Sequence, residues 1–180
     1  DEIIDLAYAT VPKTSYDNPV QDILENLPST VNMLDVASNF TLEKIVLISS
    51  GGVIYGHTNK TPIDEEHPTN PISPYGITKL AVEKYAQMFR ATRDLPIVCV
   101  RPGNAYGETQ KPFVGQGFIA TAIVSILQGL ELNLYGESGT IRDYIHVEDV
   151  ADGIVAALLK GRPGDIYNIG SGEGRNNRDI

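Results

Sequence analysis

The stretch "KIVLISSGGVIYG", residues 44–56, is the clearest indication of the fold. Its first part, "KIVLIS", is a nearly continuous apolar run, which is typical of a β-strand buried on both faces of a parallel sheet. Two serines and two glycines follow directly. Ligands of open α/β sheets bind beyond the carboxyl ends of the strands, so we expect Ser49 and Ser50 to reach a ligand crevice. Gly51 and Gly52 would let a backbone or a ligand come close.

Predicted strands and helices alternate on both sides of this stretch. Strands are predicted to begin at residue 3 and to cover 44–49, 96–104, 132–136, 141–147 and 165–171. Helices are predicted over 20–38, 75–92, 117–129 and 147–160. The segment 56–74, rich in Pro, Asn, Thr and Asp, is predicted to be a loop. Such alternation predicts an α/β fold, a doubly wound parallel sheet with right-handed crossovers.

The two ends of the sequence carry unusual signals. "DEIIDLAYAT" (1–10) indicates a buried strand from the middle of a sheet, and no covering unit precedes it. "GRNNRDI" (174–180) resembles the start of a helix. A buried parallel strand at a chain end would leave apolar faces and a sheet edge open. We therefore expect the chain to be part of a longer protein, or to lack segments that its relatives have.

The composition excludes several classes of protein. The 180 residues are 42% apolar and 21% charged, which suits one domain with a substantial core. No apolar run approaches the roughly 18 residues of a membrane span, and no secretory pattern opens the chain, so a cytoplasmic protein is predicted. The formal charge of −9 argues against nucleic acid as the main partner. The one cysteine, Cys99, is predicted to be buried, and no disulfide framework or Cys/His metal set can be built.

The stretch "SPYGITK" (73–79) places a tyrosine and a lysine four residues apart in a predicted helix. Ser73 is a suitable N-cap and Pro74 a suitable first helical residue. The spacing puts Tyr75 and Lys79 on one face, about 6 Å apart along the helix axis. Surface helices often carry such a pair by chance, so the pair alone does not identify any chemistry.

Ser50 supplies a third group for the same site. The strand before it and the strand ending in "RPGNAYG" (101–107) deliver their ends to one edge of the sheet, so Ser50, Tyr75 and Lys79 can converge. A Ser50 hydroxyl could hold a substrate oxygen while Tyr75 exchanges that oxygen's proton. The Lys79 charge would lower the phenol pKa from about 10 towards working pH. This set can oxidise an alcohol when a hydride acceptor lies alongside.

Five motifs in order carry a resemblance to a known family. They are "SSGGVIYG" (49–56), "SPYGITK" with its tyrosine 25 residues after Ser50, "RPGNAYG", "IRDYIHVEDVADGI" (141–154) and "YNIGSGEG" (167–174). Together they resemble the extended short-chain dehydrogenase/reductase superfamily and, within it, the NAD-dependent nucleotide-sugar epimerase/dehydratase family. The nearest resemblance is to UDP-glucose/UDP-galactose 4-epimerases, and it covers essentially the whole chain.

The resemblance implies NAD as the cofactor. Tyr75 and Lys79 should then lie at the nicotinamide ribose, and the backbone near Pro102 should abut the nicotinamide. Leu6 and Ala7, in "LAYAT", match the loop that lines the cofactor's ribose and diphosphate. The family begins with two βα units that carry a glycine-rich dinucleotide loop, and this sequence has no such fingerprint. The implied fold is an incomplete Rossmann-like sheet that lacks these N-terminal βαβ units and part of the C-terminal substrate lobe.

The resemblance also implies roles in substrate binding and catalysis. Ser50, Tyr75 and Lys79 match the catalytic triad, with Ser50 also contacting substrate. Asn104 matches an asparagine that contacts the substrate, and Arg142 matches an arginine that grips the diphosphate of the nucleotide sugar, where a guanidinium fits phosphate geometry. From the residues alone, Asn104 could instead cap a turn and Arg142 could pair with a neighbouring acidic residue.

Gly51 and Gly52 limit which reactions of the family the sequence implies. Sugar 4,6-dehydratases of the family carry an Asp-Glu pair at these positions, as acid and base for water elimination. The chemistry left is hydride removal at C4, rotation of the keto-sugar and hydride return to the other face. We therefore expect an NAD-dependent sugar 4-epimerase of surface-polysaccharide or galactose/hexosamine metabolism. A related reductase or dehydrogenase, and a truncated inactive homologue that binds a nucleotide sugar or only dimerises, stay open as alternatives.

The same resemblance suggests partners and an internal division. The expected substrate is a UDP-hexose or UDP-N-acetylhexosamine, or a polyprenyl-diphosphate-linked sugar. Residues 1–110 correspond to a partial NAD-binding domain, and residues 111–180 to a partial substrate-binding region interleaved with the last sheet strands. Residues 20–38 and 75–92 are apolar on more than one side, and the equivalent helices of the family form a four-helix dimer interface. A homodimer is therefore expected.

Overall fold

The computed structural model describes residues 1–134 and 139–180. Its helices are α1 Pro12–Asp17, α2 Pro19–Ala37, α3 Gly51–Ile54, α4 Pro74–Arg93, α5 Phe118–Gln128 and α6 Val147–Lys160. Its strands are β1 Glu2–Asp5, β2 Lys44–Ile48, β3 Ile97–Pro102, β4 Asn104–Tyr106, β5 Ile141–His146, β6 Ile166–Ile169 and β7 Gly174–Asn176. The four long predicted helices are confirmed. The Ser73 side chain caps α4 as predicted, accepting a hydrogen bond from the Gly76 N–H at 3.1 Å.

A parallel sheet in the order β1-β2-β3-β6 forms the centre of the fold. The apolar stretch of β2 pairs with β3, so that Leu47 lies beside Cys99 and Ile48 beside Val100. Both strands are buried on both faces, as their continuous apolar runs predict. The predicted α/β fold on a doubly wound parallel sheet is therefore confirmed.

Helices cover both faces of this sheet. The α2 and α4 helices pack on one face, against the odd-numbered side chains of β2 and β3 such as Ile45 and Cys99. The α6 helix packs on the other face, against Val46, Val98 and Val100. Cys99 is buried as predicted, and this burial raises the pKa of its thiol to about 12. The two apolar layers place the ends of β2 and β3 next to the start of α4.

The first strand differs from its prediction. Within the described residues β1 pairs with β2 alone and lies at the edge of the sheet rather than in its middle. Its residues alternate between exposed and half-buried, and Ile4 is 38% exposed. The expectation of a fully buried strand is wrong for the described structure, because an edge strand has a neighbour on one side only.

A second, smaller sheet follows the main one. The β4 and β5 strands pair in parallel, and β5 and β7 pair in antiparallel fashion. The sequence 174–180 therefore forms a strand and a turn, and its prediction as the start of a helix is wrong. The strand predicted over 132–136 lies partly outside the described residues, and 132–134 form no strand. The α1 helix was not predicted.

No helix among residues 1–134 and 139–180 has both the length and the apolar character needed to cross a membrane. No group of three or more His, Cys, Asp or Glu side chains there is arranged to hold a metal ion.

Candidate active site

Ser50 lies at the carboxyl end of β2, in the turn that leads into α3. Its backbone is extended (φ −156°, ψ 112°) and it occupies the N-cap position of α3. Gly51 brings this turn close to β3, since a Cβ there would lie only 2.9 Å from the carbonyl oxygen of Arg101. Any larger residue would push the turn away from β3. The close approach keeps Ser50 near Tyr75, whose pKa it affects.

Tyr75 and Lys79 occupy the first two turns of α4. The Ser50 side chain is near enough to Tyr75 to lower the pKa of its phenol, against the larger effect of burial. The Lys79 ammonium donates a hydrogen bond of 2.8 Å to the carbonyl oxygen of Ile48, the last residue of β2. The structure thus brings Ser50, Tyr75 and Lys79 together at the carboxyl end of β2.

Burial dominates the pKa values of this group. It raises the pKa of Tyr75 to about 12, with the Asp22 charge adding to the rise and the Ser50 hydrogen bond opposing it. It lowers the pKa of Lys79 to about 8. The carboxylates that oppose this fall are Asp5, Asp22 and Glu83. The Lys79 charge was expected to bring the phenol pKa below its ordinary value. In this structure the effect of burial on the Tyr75 pKa outweighs the effect of the Lys79 charge. The Lys79 nitrogen lies 5.7 Å from the Tyr75 ring centroid.

Tyr8, which the sequence reasoning did not assign, lies at the centre of the group. The Lys79 nitrogen is 3.8 Å from the centroid of its ring, and the Tyr75 ring meets it edge to face at 5.0 Å. The motif "LAYAT" pointed instead to Leu6 and Ala7. Both of these side chains lie at the surface, and Leu6 is 68% exposed. An aromatic residue directly after the end of a predicted strand was the signal for Tyr8.

A buried carboxylate ties the loop after β1 to α4. Asp22 of α2 accepts hydrogen bonds from the hydroxyls of Thr10 and Thr78, the latter at 2.6 Å. Asn26, one turn further on, donates to the Asp22 carbonyl at 2.7 Å. These residues were also missed. Their signal was a line of polar residues at four-residue spacing on the packing face. The buried residues of α2 are Asp22, Asn26, Thr30, Leu34 and Ala37.

A buried ion pair anchors α4 to β3. Arg101 donates to both carboxylate oxygens of Glu83, at 2.9 and 2.7 Å, and the two side chains are 3% and 2% exposed. Arg101 also donates to the hydroxyl of Tyr55 at 2.7 Å, and that hydroxyl donates to Asn168 of β6 at 2.7 Å. Glu83 lies one turn after Lys79. The network therefore fixes the rotation of α4 and the direction in which Lys79 points.

Pro102 and Asn104 border the turn that carries Ser50. The carbonyl oxygen of Pro102 lies 3.2 Å from the position that a Cβ would take at Gly51. The side-chain oxygen of Asn104 lies 2.9 Å from the corresponding position at Gly52. Both residues predicted at the end of β3 are thus next to the Ser50 turn.

Arg142 lies further from this group, at the start of β5. Tyr144, two residues later, is in register with Asn104 of β4, so Arg142 and Tyr144 share one face of the strand. The exposed guanidinium donates to the carbonyl oxygen of Ile141 at 2.8 Å. It forms no ion pair with a carboxylate in the described part of the chain, so the alternative of a pair with an acidic neighbour has no support there.

The residues present fit one end of a dinucleotide. Two hydroxyls and an ammonium, from Ser50, Tyr75 and Lys79, can bind a ribose and a reacting alcohol and can move a proton between them. The sequence has no glycine-rich loop between a strand and a helix to hold the diphosphate. The cluster "GSGEG" (170–174) leads from β6 into β7 and does not open a helix.

Comparison with known proteins agrees with this geometry. Residues 1–170 match the sequence model of the NAD-dependent epimerase/dehydratase family. The UDP-glucose 4-epimerase of Mycolicibacterium smegmatis is 34% identical over 178 residues, which are 99% of this chain and 57% of that protein.

Solved structures of similar fold are also known. The UDP-glucose 4-epimerase of Thermus thermophilus in complex with NAD superposes with a TM-score of 0.92 at 35% identity, over 99% of this chain and 58% of that one. The dTDP-glucose 4,6-dehydratase DesIV of Streptomyces venezuelae, a double mutant solved with NAD and DAU, has a TM-score of 0.92 at 28% identity, over 99% and 54%. The chain thus spans a little more than half the length of these relatives. By sequence and by fold it belongs to the NAD-dependent epimerase/dehydratase family.

Proposed function

We propose that the protein acts as an NAD-dependent nucleotide-sugar 4-epimerase. The observation that carries the proposal is the Ser50–Tyr75–Lys79 group beside a turn that has no acidic side chain at Gly51 or Gly52. Relatives with either epimerase or dehydratase names are similar to this chain, so family membership alone does not separate the two activities.

Each residue of the group has a proposed task. Ser50 orients the C4 hydroxyl of the sugar by a hydrogen bond, and Tyr75 takes the hydroxyl proton and later returns it. Lys79 stabilises the phenolate and binds the nicotinamide ribose, against the backbone of Pro102. Bound NAD would supply the hydride-transfer chemistry at C4, with removal from one face of the sugar and return to the other. Because the proton and the hydride both come back, the cycle leaves no net oxidation.

The turn after Ser50 favours epimerisation over dehydration. Water elimination needs a proton donor and a base close to the neighbouring carbons of the sugar. At Gly51 a side chain would collide with the backbone of β3, and at Gly52 it would meet the Asn104 amide. With hydrogen alone at both positions, the turn offers neither group.

The proposed substrate is a sugar carried on a diphosphate. Asn104 would bind a sugar hydroxyl, and the exposed guanidinium of Arg142 would bind the diphosphate, for which planar guanidinium geometry is suited. UDP-hexose, UDP-N-acetylhexosamine and polyprenyl-diphosphate-linked sugars share this chemistry. We assign 1–110 to the NAD side of the site and 111–180 to the substrate side.

An epimerisation assay with the full-length polypeptide tests the function. UDP-glucose, UDP-galactose and their N-acetylated counterparts are each incubated with NAD, and the C4 epimers are separated by chromatography. We expect one pair to interconvert to equilibrium while the nicotinamide absorbance stays constant. The catalytic control is Lys79→Met, which should reduce turnover by at least about a hundredfold.

Three other results would contradict the proposal. Net formation or consumption of NADH would identify a dehydrogenase or reductase. A 4-keto-6-deoxy product would identify a dehydratase. Binding of UDP and NAD in calorimetry without any turnover would identify an inactive homologue.

We also propose that α2 and α4 form the interface of a homodimer. These helices pack side by side, yet both keep large apolar side chains at the surface. The most exposed of them are Leu24 (66%), Val20 (62%), Val36 (58%), Ile77 (55%) and Ile23 (46%). Exposed apolar side chains on two neighbouring helices are what a second copy can cover to form four helices.

Charge placed on this surface should separate the dimer. We expect Leu24→Glu to weaken self-association by at least about a hundredfold, because a buried unpaired carboxylate is strongly unfavourable. Sedimentation velocity measures the change. The matched control is Leu127→Glu on α5, a residue that is 80% exposed and far along the chain from this surface. Equal weakening by both variants, or a monomeric parent protein, would contradict the assigned interface.

A further inference from the structure

Lys79 is enclosed by the protein and only partly satisfied by it. The residue is 5% exposed, and its ammonium makes one hydrogen bond in the described part of the chain, to Ile48. An ammonium has three donors. The ammonium is also in direct contact with the Tyr8 ring, whose centroid lies 3.8 Å from the nitrogen. At that distance the negative face of an aromatic ring attracts a cation.

Tyr8 makes this contact through its ring and not through its hydroxyl. The ring is supported from the side by Tyr75, edge to face at 5.0 Å and 70°. The Tyr8 hydroxyl is buried and has no hydrogen-bond partner among residues 1–134 and 139–180. Burial raises the pKa of Tyr8 against an opposing effect of the Thr78 side chain, but the Thr78 hydroxyl donates to Asp22. An unpaired buried hydroxyl is unfavourable, so the stabilising contact between Tyr8 and Lys79 comes from the ring.

We infer that Tyr8 is a positioning residue, whose ring face holds the Lys79 ammonium against the end of β2 and beside Tyr75. The inference deepens the proposed function, because that is where the proposed reaction needs a positive charge. The contact itself can be measured without turnover, so the inference and the proposed function can fail separately.

The other groups that face Lys79 act on it from a distance. Asp5 of β1, Asp22 of α2 and Glu83 of α4 each raise the pKa of Lys79 by their charge, while burial lowers it to about 8. None of the three forms an ion pair with Lys79 in the described structure. The Tyr8 ring is therefore the contact whose removal should most directly favour the neutral amine.

The test is a titration of Lys79 in this chain. Lysine is labelled with ¹³C at Cε, the Lys79 signal is identified by its loss in Lys79→Arg, and its shift is followed from pH 6 to 11. Tyr8→Leu removes the ring, and we expect the pKa of Lys79 to fall by about one, a tenfold loss of charged lysine above that pKa. Tyr8→Phe keeps the ring and should titrate like the parent protein. Tyr16→Leu, which removes a tyrosine that is 60% exposed, is the control.

The outcomes separate the ring from the hydroxyl. An unchanged pKa in Tyr8→Leu would overturn the inference, and so would an equal fall in Tyr8→Leu and Tyr8→Phe. If Tyr8→Leu does not fold, phenylalanines with increasing fluorination at position 8 keep the shape and weaken the ring charge. A stepwise fall of the Lys79 pKa along that series supports the inference, and a constant value overturns it. A fall of this pKa in a protein that shows no epimerisation supports the contact and contradicts the proposed function.

Discussion

Replacing Tyr75 with Phe should remove sugar turnover and leave the fold intact. The loss should be at least about 10³-fold, since Tyr75 is the proposed acceptor of the proton of the reacting hydroxyl. The ring that remains keeps its edge contact with Tyr8. Only the phenolic hydroxyl is lost, so the free energy of unfolding should change by about 1 kcal/mol or less. Epimerisation rates and urea denaturation measure the two quantities.

The pH dependence of the parent enzyme checks the same assignment. Because burial raises the pKa of Tyr75 to about 12, the phenol is protonated at neutral pH, and the rate of sugar oxidation should rise with pH until Lys79, whose pKa is about 8, loses the charge that stabilises the phenolate. The residual rate of Tyr75→Phe should lack this rise. Tyr16→Phe, at an exposed tyrosine, is the matched control and should keep full activity. Activity near the parent level in Tyr75→Phe would remove Tyr75 from the catalytic role.

Replacing Arg101 with Leu should be the most destabilising single change at the site. It leaves the Glu83 carboxylate buried without its partner, and it removes a hydrogen bond to Tyr55. Breaking a buried pair from one side costs about 3–5 kcal/mol. We expect a loss of that size in the free energy of unfolding, measured by urea denaturation at pH 7.

Two further variants show whether the lost pair is the cause. Arg101→Leu combined with Glu83→Leu removes both charges, and the stability should recover by several kcal/mol relative to Arg101→Leu alone. Arg162→Leu breaks the exposed pair with Asp165 and should change stability by less than about 1 kcal/mol. If the double variant were no more stable than Arg101→Leu, the unpaired carboxylate would not be the source of the loss.

Much of the central fold could be predicted from the sequence. The apolar runs that became β2 and β3 have only one environment that suits them, the interior of a parallel sheet, and the Ser73-Pro74 pair marks the start of α4 through local capping chemistry. Ser50, Tyr75 and Lys79 followed because parallel strands deliver their ends to one edge.

The features that could not be predicted depend on contacts between segments that are distant along the chain. Whether β1 is central or at an edge is set by its neighbours and not by its own residues. Tyr8 could be recognised only once the end of β1 lay against the second turn of α4. Aspartates on helices are usually solvated, and the burial of Asp22 depends on Thr10 and Thr78, which donate to it from other segments. The β7 strand likewise forms because it pairs with β5, and this pairing overrides any local tendency to form a helix.

The bonds that build the site join segments far apart along the chain, and this has a consequence for its assembly. Thr78 reaches back 56 residues to Asp22, Lys79 reaches back 31 to Ile48, and Tyr55 reaches forward 113 to Asn168. Such a site has high contact order, and loops of this size must close before any of its bonds can form. A partly folded chain with α4 already helical would still have no active site. Recovery of the proposed activity during refolding should therefore follow the pairing of β6 with β3 rather than the formation of helices.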